Sequence, residues 1–473
     1  MLEAAPDVDP EVHARRWRIL GVALVVGFMS LLDVTIVNVA LPSLRAGLDA
    51  SASTAQWVVS GYALAFGLTL VAGGRLGDAY GRRRLMAIGL IGFIVSSAAV
   101  GLAPNALIVV VARLAQGASA GFLTPQNSGL IQDLFTGDER GRAFGLFGFT
   151  VSISSALGPV IGGLVLQAAG EEDGWRWLFL VNIPIGLVAL VGIWRMVPGR
   201  SAAQRTADAR IDVAGALLLG LTVLCVLLPV VRLEGGDRLP LLLLLAVPVL
   251  LWGFVRWEQR LVARGGAPLL DVGLLRQVPG YAGGLAVGTL YFTGFTGVFL
   301  VLSVFLQEGR GLSPLTAGLL LTPFAVGSAV TAPLAGRVIN RIGRPLTVVA
   351  LAVMMTGVLA TALLVPGRED TALVAVLVPA LLVAGLGGGG VISPNFTLTL
   401  AEVPTRMGGA AGGALQTGQR IGSATGAAVL MTAYQVALAQ GTSPDTALRV
   451  ALVTALVLLS VAMVTAVRAL RAP

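Results

Sequence analysis

The stretch GRLGDAYGRRRL, residues 74–85, places glycines between charged residues at the junction of two long apolar runs. The runs at 56–76 and 85–103 are each long enough to cross a bilayer of roughly 30 Å as a helix. A related stretch, GRVINRIGRPL at 336–346, also opens on Gly-Arg and repeats Gly-Arg seven residues later. Each copy follows the second apolar run of a six-run block, so the sequence predicts two related halves.

The rest of the chain extends this pattern. Of its 473 residues, 56% are hydrophobic and 12% are charged, whereas soluble proteins carry about 25% charged residues. Apolar runs recur throughout, which predicts an all-α polytopic membrane protein with fourteen transmembrane helices. The predicted spans are 19–41, 56–76, 85–103, 106–127, 143–167, 178–197, 212–231, 239–257, 281–305, 315–338, 346–365, 371–393, 409–431 and 447–468.

The placement of arginine indicates the topology. Lysine is absent, and most of the arginines lie in alternate loops. By the positive-inside rule, both termini are expected in the cytoplasm. We predict an N-terminal six-helix bundle at 1–200, a linker with two inserted helices at 201–270 and a C-terminal six-helix bundle at 271–473. Parallel repeats with a site between them are typical of transporters.

The composition also excludes several kinds of chemistry. Without lysine there is no G-x-x-x-x-G-K-[ST] phosphate loop. One cysteine and one histidine leave no internal disulfide and no cysteine metal cluster. We expect no catalytic residue, no metal and no cofactor. The net charge of +8 is expected to face anionic lipid rather than nucleic acid.

Asp33 lies inside the first apolar run and is the only acid well within a span. An ionised side chain at mid-span costs about 3 kcal/mol on insertion scales and marks an ion or substrate pathway by default. Desolvation disfavours the charged form, so a carboxyl group there is suited to binding and releasing a proton. We predict that Asp33 is a proton-coupling carboxylate. The alternative is a structural hydrogen bond to a neighbouring helix.

Two arginines also lie within predicted spans. Arg113, in the fourth span, needs carboxylate or carbonyl partners when it is buried, and the candidates are Asp33, Gln116 and freed backbone. We predict a functional role for Arg113, with a purely structural role as the alternative. Arg420, in the thirteenth span, is its counterpart in the C-terminal half and forms a candidate second polar site with Gln416.

The loop after the second span is predicted to act as a gate. Its glycines let helix ends approach closely and permit a tight turn. Asp78 is expected to accept hydrogen bonds from the N-terminal amides of a neighbouring helix or to pair with Arg82. The alternative is a positively charged topological anchor. The second copy carries Asn340 at this place, which weakens an ionic latch there. The predicted gate residues are Gly74, Gly77, Asp78, Gly81, Arg82 and Arg83.

The fifth span contains SSALGPVIGG, residues 154–163. Proline removes a backbone hydrogen bond and kinks a helix, while small residues permit close crossing. We predict a bend that seals or opens one face, with a plain packing motif as the alternative. The residues concerned are Gly158, Pro159, Gly162 and Gly163.

Polar and aromatic residues in and near the spans are candidates for lining a substrate cavity. A mostly apolar cavity with a few polar and aromatic groups suits varied amphipathic compounds. The predicted lining residues are Asn38, Gln56, Trp57, Tyr62, Gln126, Asn127, Phe292, Phe295 and Asn395.

These motifs resemble those of the major facilitator superfamily. GRLGDAYGRRR, RLAQGASAG (113–121) and LGPVIGG (157–163) are similar to its loop, fourth-span and antiporter motifs. LDVTIVNVALP (32–42) with WRWLFLVNIPIG (175–186) resembles the fourteen-span drug:proton antiporters of the EmrB/QacA type. The resemblance implies two six-helix bundles around a central cavity, proton roles for Asp33 and Arg113, and a cytoplasmic gate at 74–84. Some relatives carry further acids in the C-terminal half; here no acid lies deep in spans 9–14.

The resemblance implies proton-coupled efflux of drugs, antiseptics or antibiotics by alternating access. The expected partners are a small amphipathic or antibiotic substrate, protons and the lipid bilayer, and the expected state is a monomer. The lysine-free, arginine-rich composition indicates a high-GC bacterium and thus a bacterial cytoplasmic membrane. The alternatives are a proton-coupled transporter of a metabolite or nutrient and a non-transporting scaffold or sensor. A membrane enzyme is least favoured, since the spans offer no histidine cluster or carboxylate pair.

Overall fold

The computed structural model describes residues 10–170, 173–199, 212–234, 239–266, 268–368 and 370–471, and these residues contain helices and no strand. A 3-10 segment, Leu239–Ala246, precedes α9, and a π-helical turn, Phe305–Gly309, follows α11. The helices are α1 (Pro10–Gly47), α2 (Ala52–Tyr80), α3 (Arg82–Gly101), α4 (Ala106–Leu134), α5 (Gly137–Ala169), α6 (Gly174–Leu180), α7 (Asn182–Met196), α8 (Val213–Glu234), α9 (Val247–Ala263), α10 (Leu274–Gln277), α11 (Pro279–Val304), α12 (Pro314–Ile342), α13 (Pro345–Leu364), α14 (Asp370–Thr399), α15 (Gly408–Ala439) and α16 (Pro444–Arg471).

Helices occupy every place where the sequence predicts a span, but they do not all qualify as spans. Within the described ranges, twelve segments are long and apolar enough to cross a membrane, one of them formed by α6 and α7 together. The bent helix α5 would be a thirteenth. Helix α8 contributes only a shorter apolar segment, Val213–Pro229. Length and apolarity therefore support twelve or thirteen spans rather than the predicted fourteen.

Local sequence sets several helix ends. Ser51, Asn105 and Ser313 each accept a hydrogen bond from the backbone amide three residues further on, at the starts of α2, α4 and α12. This contact satisfies an amide that has no partner inside the helix. Gly81 has a φ of 95° and separates α2 from α3, a conformation that glycine adopts without a steric penalty.

The two halves share one packing scheme. Helices α2 and α3 pack on α4 as α12 and α13 pack on α14, and α1 packs on α5 as α11 packs on α15. The halves meet where α2 contacts α15 and where α5 contacts α12. These two contacts are equivalent under the exchange of the halves, which agrees with the repeat seen in the sequence. The domain boundaries drawn from the sequence stay a prediction.

Helix α8 lies across the seam between the halves, because it contacts both α2 and α15. Its Val223 and Leu227 form a small apolar cluster with Leu64 of α2, and Ile421 of α15 packs against that cluster. The outer surface of the bundle is apolar, as expected of a membrane-embedded protein. Large exposed apolar side chains there include Ile88, Val95, Leu107, Val188, Val249, Trp252 and Leu363.

Candidate functional site

The centre of the site is the carboxylate of Asp33 on α1, which is 1% exposed. Its Oδ2 forms an ion pair with Arg113 of α4. Its Oδ1 accepts hydrogen bonds from Gln116 Nε2 at 3.0 Å and from Asn182 Nδ2 at 3.1 Å. Both carboxylate oxygens of Asp33 are therefore occupied by donors from α4 and α7.

The guanidinium of Arg113 uses every kind of partner that the sequence left open for it. Besides the carboxylate, its Nη1 donates to Gln116 Oε1 at 2.7 Å and its Nε to the carbonyl of Val58 at 3.0 Å. The ring of Tyr62 lies below it, with Cζ 4.1 Å from the ring centroid. A buried ion pair is tolerated when its remaining donors are satisfied, and these contacts satisfy much of that requirement.

Sequence reasoning missed two residues of this network. Ser97 of α3 accepts a hydrogen bond from Gln116 Nε2 at 2.8 Å and so orients that amide. Asn182 begins α7 and is separated from the end of α6 by Val181 alone. A polar residue inside an apolar run, with Pro184 two positions on, is a signal of a broken helix and could have pointed to Asn182.

A row of rings and guanidinium groups leads from this site to the other half. The hydroxyl of Tyr62 donates to the carbonyl of Ser30 at 3.1 Å, and its ring lies 5.9 Å from that of Phe66. Arg420 of α15 lies over Phe66, with Cζ 4.6 Å from the ring centroid. The row therefore joins α4, α2 and α15. Gln416 lies one turn before Arg420 on α15.

The predicted gate joins the halves at one end of the bundle. Asp78 accepts hydrogen bonds from the amides of Gly409 at 3.0 Å and Ala410 at 2.8 Å. These amides belong to the first turn of α15, where no intrahelical partner exists. Arg82 forms ion pairs with Asp78, at 2.8 Å, and with Asp133 of α4. Asp78 thus makes both contacts that the sequence offered as alternatives, and Asp133 is a member that the sequence did not reveal.

Further contacts close the same end, which we call the gate end (Asp78, Asn340 and the starts of α5 and α15). Gln132 Nε2 donates to the carbonyl of Leu400 at 3.2 Å. Asn340 Nδ2 donates to Asp138 Oδ1 at 3.0 Å, near the start of α5. The second loop copy therefore also reaches the opposite half, but by one hydrogen bond between side chains instead of a charged cap.

The glycines of the gate loop permit this closeness. A Cβ atom on Gly74 would lie 2.1 Å from the carbonyl oxygen of Gly409, and one on Gly77 would lie 1.9 Å from Gln126 Oε1. Real Cβ atoms essentially never approach other atoms so closely. Helices α2 and α15 consequently touch backbone to backbone at Gly74.

Arg83, also predicted as a gate residue, points away from the gate. Its guanidinium lies over Trp194 of α7, with Cζ 4.6 Å from the ring centroid. It therefore packs α3 on α7 within one half.

The fifth-span motif combines both readings that the sequence allowed. Helix α5 is bent by 41° between its segments Gly137–Ser155 and Val160–Ala169. A Cβ atom on Gly158 would lie 2.0 Å from Thr35 Oγ1 of α1, so the motif also packs tightly beside the Asp33 turn. Gly162 is buried and Gly163 partly buried. The side chain of Pro159 lies outside the described part.

Four predicted lining residues lie in or near α1 and α2. The side chains of Asn38 and Gln56 fall outside the described part of the chain. Trp57 packs against the apolar cluster shared with α8. Tyr62 belongs to the row beside Asp33.

Three predicted polar lining residues lie inside a half rather than between the halves. Gln126 is fully buried and donates to the carbonyl of Gly73 at 2.8 Å, joining α4 to α2. Asn127 is also fully buried, and neither of its polar atoms has a hydrogen-bond partner within the described ranges. Asn395 donates to the carbonyl of Gly284 at 3.2 Å and borders a small cavity among α11, α13, α14 and α16.

Phe292 and Phe295 belong to an aromatic cluster of the C-terminal half. Phe295 stacks on Phe324 of α12 and on Tyr291, with ring centroids 4.9 Å and 5.3 Å apart. The hydroxyl of Tyr291 donates to the carbonyl of Gly388 at 3.3 Å, which ties the cluster to α14.

This cluster stands where the second half would repeat the Asp33 site. The two Gly-Arg stretches begin 262 residues apart, at 74 and 336. The same interval leads from Asp33 to Phe295 and from Tyr62 to Phe324. Rings therefore replace the ionisable group in the C-terminal half.

Curated relatives match most of the chain. The probable actinorhodin transporter of Streptomyces coelicolor is 40% identical over 90% of this chain and 73% of its own length. The puromycin resistance protein of Streptomyces alboniger is 36% identical over 91% and 85%. The tetracenomycin C resistance and export protein of Streptomyces glaucescens is 33% identical over 89% and 76%.

Solved structures share the fold at low sequence identity. The human organic anion transporter MFSD10 superposes with a TM-score of 0.70 at 17% identity, covering 95% of this chain and 99% of that one. The proton:xylose symporter XylE superposes with a TM-score of 0.66 at 17% identity, covering 94% and 95%. Residues 23–427 match the Major Facilitator Superfamily. With the fold and the sequence in agreement, this chain belongs to the Major Facilitator Superfamily and is a multi-span membrane transporter.

Proposed function

We propose that this transporter exports a drug or antibiotic in exchange for protons and that Asp33 carries the proton. Its relatives support export, since they are a probable actinorhodin transporter, a puromycin resistance protein and a tetracenomycin C resistance and export protein. The observation that carries the proton part is the buried carboxylate of Asp33, held by Arg113, Gln116 and Asn182. A carboxylate inside a span marks an ion pathway by default.

The geometry gives protonation a direct consequence. A protonated carboxyl group is neutral and must donate one hydrogen bond, but all three neighbouring side chains present donors to Asp33. Protonation therefore breaks the ion pair and leaves Arg113 without its counter-charge. Arg113 must then find new acceptors or be hydrated, and the row through Tyr62 and Phe66 links that change to α15.

One proton provides enough free energy for useful export. A unit charge that crosses a membrane potential of about 150 mV releases about 3.5 kcal/mol. Since each 1.4 kcal/mol corresponds to about a tenfold change, this sustains a gradient of a few hundredfold for a neutral compound. ATP and a bound cofactor are not required.

We also propose the number of spans, the orientation in the membrane and the oligomeric state that the sequence predicts. We count α5 and the shorter α8 as spans beside the other twelve, which makes a fourteen-span antiporter of the EmrB/QacA type with α8 and α9 as the two inserted spans. Both termini lie in the cytoplasm of a bacterium, which places the gate end at the cytoplasmic face. The chain works as a monomer.

Asp33→Asn tests the proposal, because asparagine keeps the size of the side chain and cannot carry a proton. We expect the variant to lose resistance to every exported compound in an efflux-deficient host. We also expect no uptake driven by a pH gradient in everted vesicles. The panel includes puromycin and tetracenomycin C. Glu308→Gln is the matched control, since it neutralises an exposed carboxylate and should retain both activities.

Membrane abundance and thermal stability are measured for each variant. Breaking a buried ion pair costs about 3–5 kcal/mol of stability. If Asp33→Asn is present at the wild-type level and still shows export driven by a pH gradient, proton coupling through Asp33 is wrong. Uptake into right-side-out vesicles instead of everted ones would identify an importer.

A further inference from the structure

The described span centres carry one positive charge that no carboxylate balances. Three charged residues lie deep in the predicted spans: Asp33, Arg113 and Arg420. The first two form an ion pair. For Arg420 the structure records no hydrogen bond and no ion pair among the residues that it describes; its recorded contact is the ring of Phe66. A guanidinium has five N–H donors, so Arg420 has unused capacity to bind an anion.

The surroundings of Arg420 are also short of acceptors. Gln416 and Thr417, which lie four and three residues before it on α15, are each 5% exposed. Within the described ranges, Gln416 Nε2 and Thr417 Oγ1 have no hydrogen-bond partner. Unpaired buried polar groups are unfavourable, and a bound acceptor would relieve them. Arg420 itself is half-buried.

We propose that Arg420 is the anchor for an acidic group of an aromatic substrate, bound where α15 meets α2. The proposal rests on the export function proposed above and names its substrate class. Arg420 and Gln416 receive the carboxylate or another acidic group. The rings of Phe66 and Tyr62, already in contact with guanidinium groups, offer faces on which an aromatic ring system can stack.

The same charges disfavour a cationic substrate at this place. Both oxygens of Asp33 are occupied by donors, and a second cation would meet the uncompensated charge of Arg420. A charge inside a low-dielectric span is felt strongly. An anion instead neutralises the site, as a bidentate contact between a guanidinium and a carboxylate does elsewhere.

Binding to the purified, full-length protein tests the proposal without relying on coupling. The probes are three anthracenes that share one ring system and carry a carboxylate, a hydroxymethyl or an aminomethyl group at the same position. We expect the carboxylate to bind wild type most tightly. Arg420→Gln should weaken that probe roughly ten- to hundredfold and leave the hydroxymethyl probe within about twofold. Arg420→Lys should recover part of the loss.

Folding of Arg420→Gln is not expected to fail, because the change leaves no partner charge behind. Arg449→Gln removes an exposed arginine on α16 and controls for a general effect of charge. Equal binding of the carboxylate probe by wild type and Arg420→Gln would overturn the proposal, and so would tightest binding of the aminomethyl probe. Failure of export driven by a pH gradient, with the Arg420 effect on binding intact, would instead overturn the proposed coupling.

Discussion

The neighbours of Asp33 prepare it for its proposed role more than burial alone does. Three side chains from α4 and α7 direct donors at its two oxygens. Each oxygen therefore has at least one donor partner, although a charge is costly at this depth. Changing a partner should alter the proton exchange that we propose for this site.

Asn182→Ala removes one of these donors and leaves the ion pair with Arg113 in place. Because Asp33 loses one of its three donor side chains, its proposed proton exchange should be altered. We expect the pH profile of transport in vesicles to differ from that of the wild type, with little change in abundance. Gln435→Ala, which removes an exposed amide of α15, should leave the profile unchanged. An unshifted profile for Asn182→Ala would mean that this amide only supports the helix break.

For single residues, the sequence revealed which charged side chains lie inside spans but not which side chains they contact. A charge inside an apolar run, such as Asp33 or Arg113, is visible because it violates the composition of a span. A neutral polar residue such as Ser97 violates it too weakly to be noticed, and Asn182 is marked only by the nearby Pro184. Their roles depend on contacts among α1, α3, α4 and α7, between residues 19 and 149 positions apart in the chain, and no local pattern records those contacts.

Among the elements, the contact of α2 with α15 depends on glycine. Backbone meets backbone at Gly74 and Gly409, so neither helix can retreat through a change of rotamer. The gate end is therefore close-packed without large side chains, and small added volumes should separate the helices.

Gly74→Ala adds one carbon 2.1 Å from the carbonyl oxygen of Gly409 and should prevent the gate end from closing. We expect loss of most transport and a lower melting temperature. Gly220→Ala in α8 is the matched control, because a Cβ atom there meets nothing within 4 Å. The control should be neutral or slightly stabilising, since alanine favours a helix over glycine by about 1 kcal/mol. Equal melting temperatures for the two variants would count against close packing at Gly74.

The sequence predicted where the helices lie better than it predicted whether each helix is continuous. Each apolar run that was predicted as a span is covered by helix, because burial in lipid leaves the backbone few alternatives to a helix. The break after α6 and the short apolar part of α8 were not foreseen.

For the whole molecule, closure at the gate end relies on unequal contacts. Asp78 caps α15 with two hydrogen bonds to backbone amides and also pairs with Arg82 within its own half. Its counterpart Asn340 makes one hydrogen bond to Asp138. The charged cap should therefore dominate the free energy that keeps this end shut.

Asp78→Asn should shift the transporter toward a state that is open at the gate end. The loss of charge-assisted hydrogen bonds costs about 1–3 kcal/mol, which corresponds to a shift of roughly tenfold or more in the population of the closed state. The reporter is a disulfide between Asp138→Cys and Asn340→Cys in a background with Cys225→Ala. We expect slower and less complete cross-linking when Asp78 is replaced.

The control for this experiment is Asp445→Asn. Asp445 pairs with Arg310 at 2.6 Å within the C-terminal half, so its loss breaks an ion pair without separating the halves. Cross-linking should stay at the wild-type rate. Equal cross-linking in all three proteins would show that Asp78 does not hold the end closed.

The pairing of the two halves was only partly predictable. The repeated Gly-Arg stretches predicted two equivalent halves. The cap of a helix start by Asp78 was one of two contacts predicted for it, the other being the pair with Arg82. The choice of α15 as its partner was not predicted, because it follows from how two bundles meet and not from either loop. Asp133, near the end of α4, was not predicted as a gate residue for the same reason.

The replacement of Asp33 and Tyr62 by Phe295 and Phe324 has a consequence for the working cycle. If Asp33 carries the proton, protonation acts directly only on the N-terminal half, because the C-terminal half has aromatic rings at the equivalent place. The C-terminal half then responds through the surfaces that the two halves share, along α2 with α15 and α5 with α12. With a single proton-carrying group, each turnover uses one proton at this site. The ratio of substrate concentrations that the transporter can sustain across the membrane is therefore lower than it would be with an equivalent group in each half.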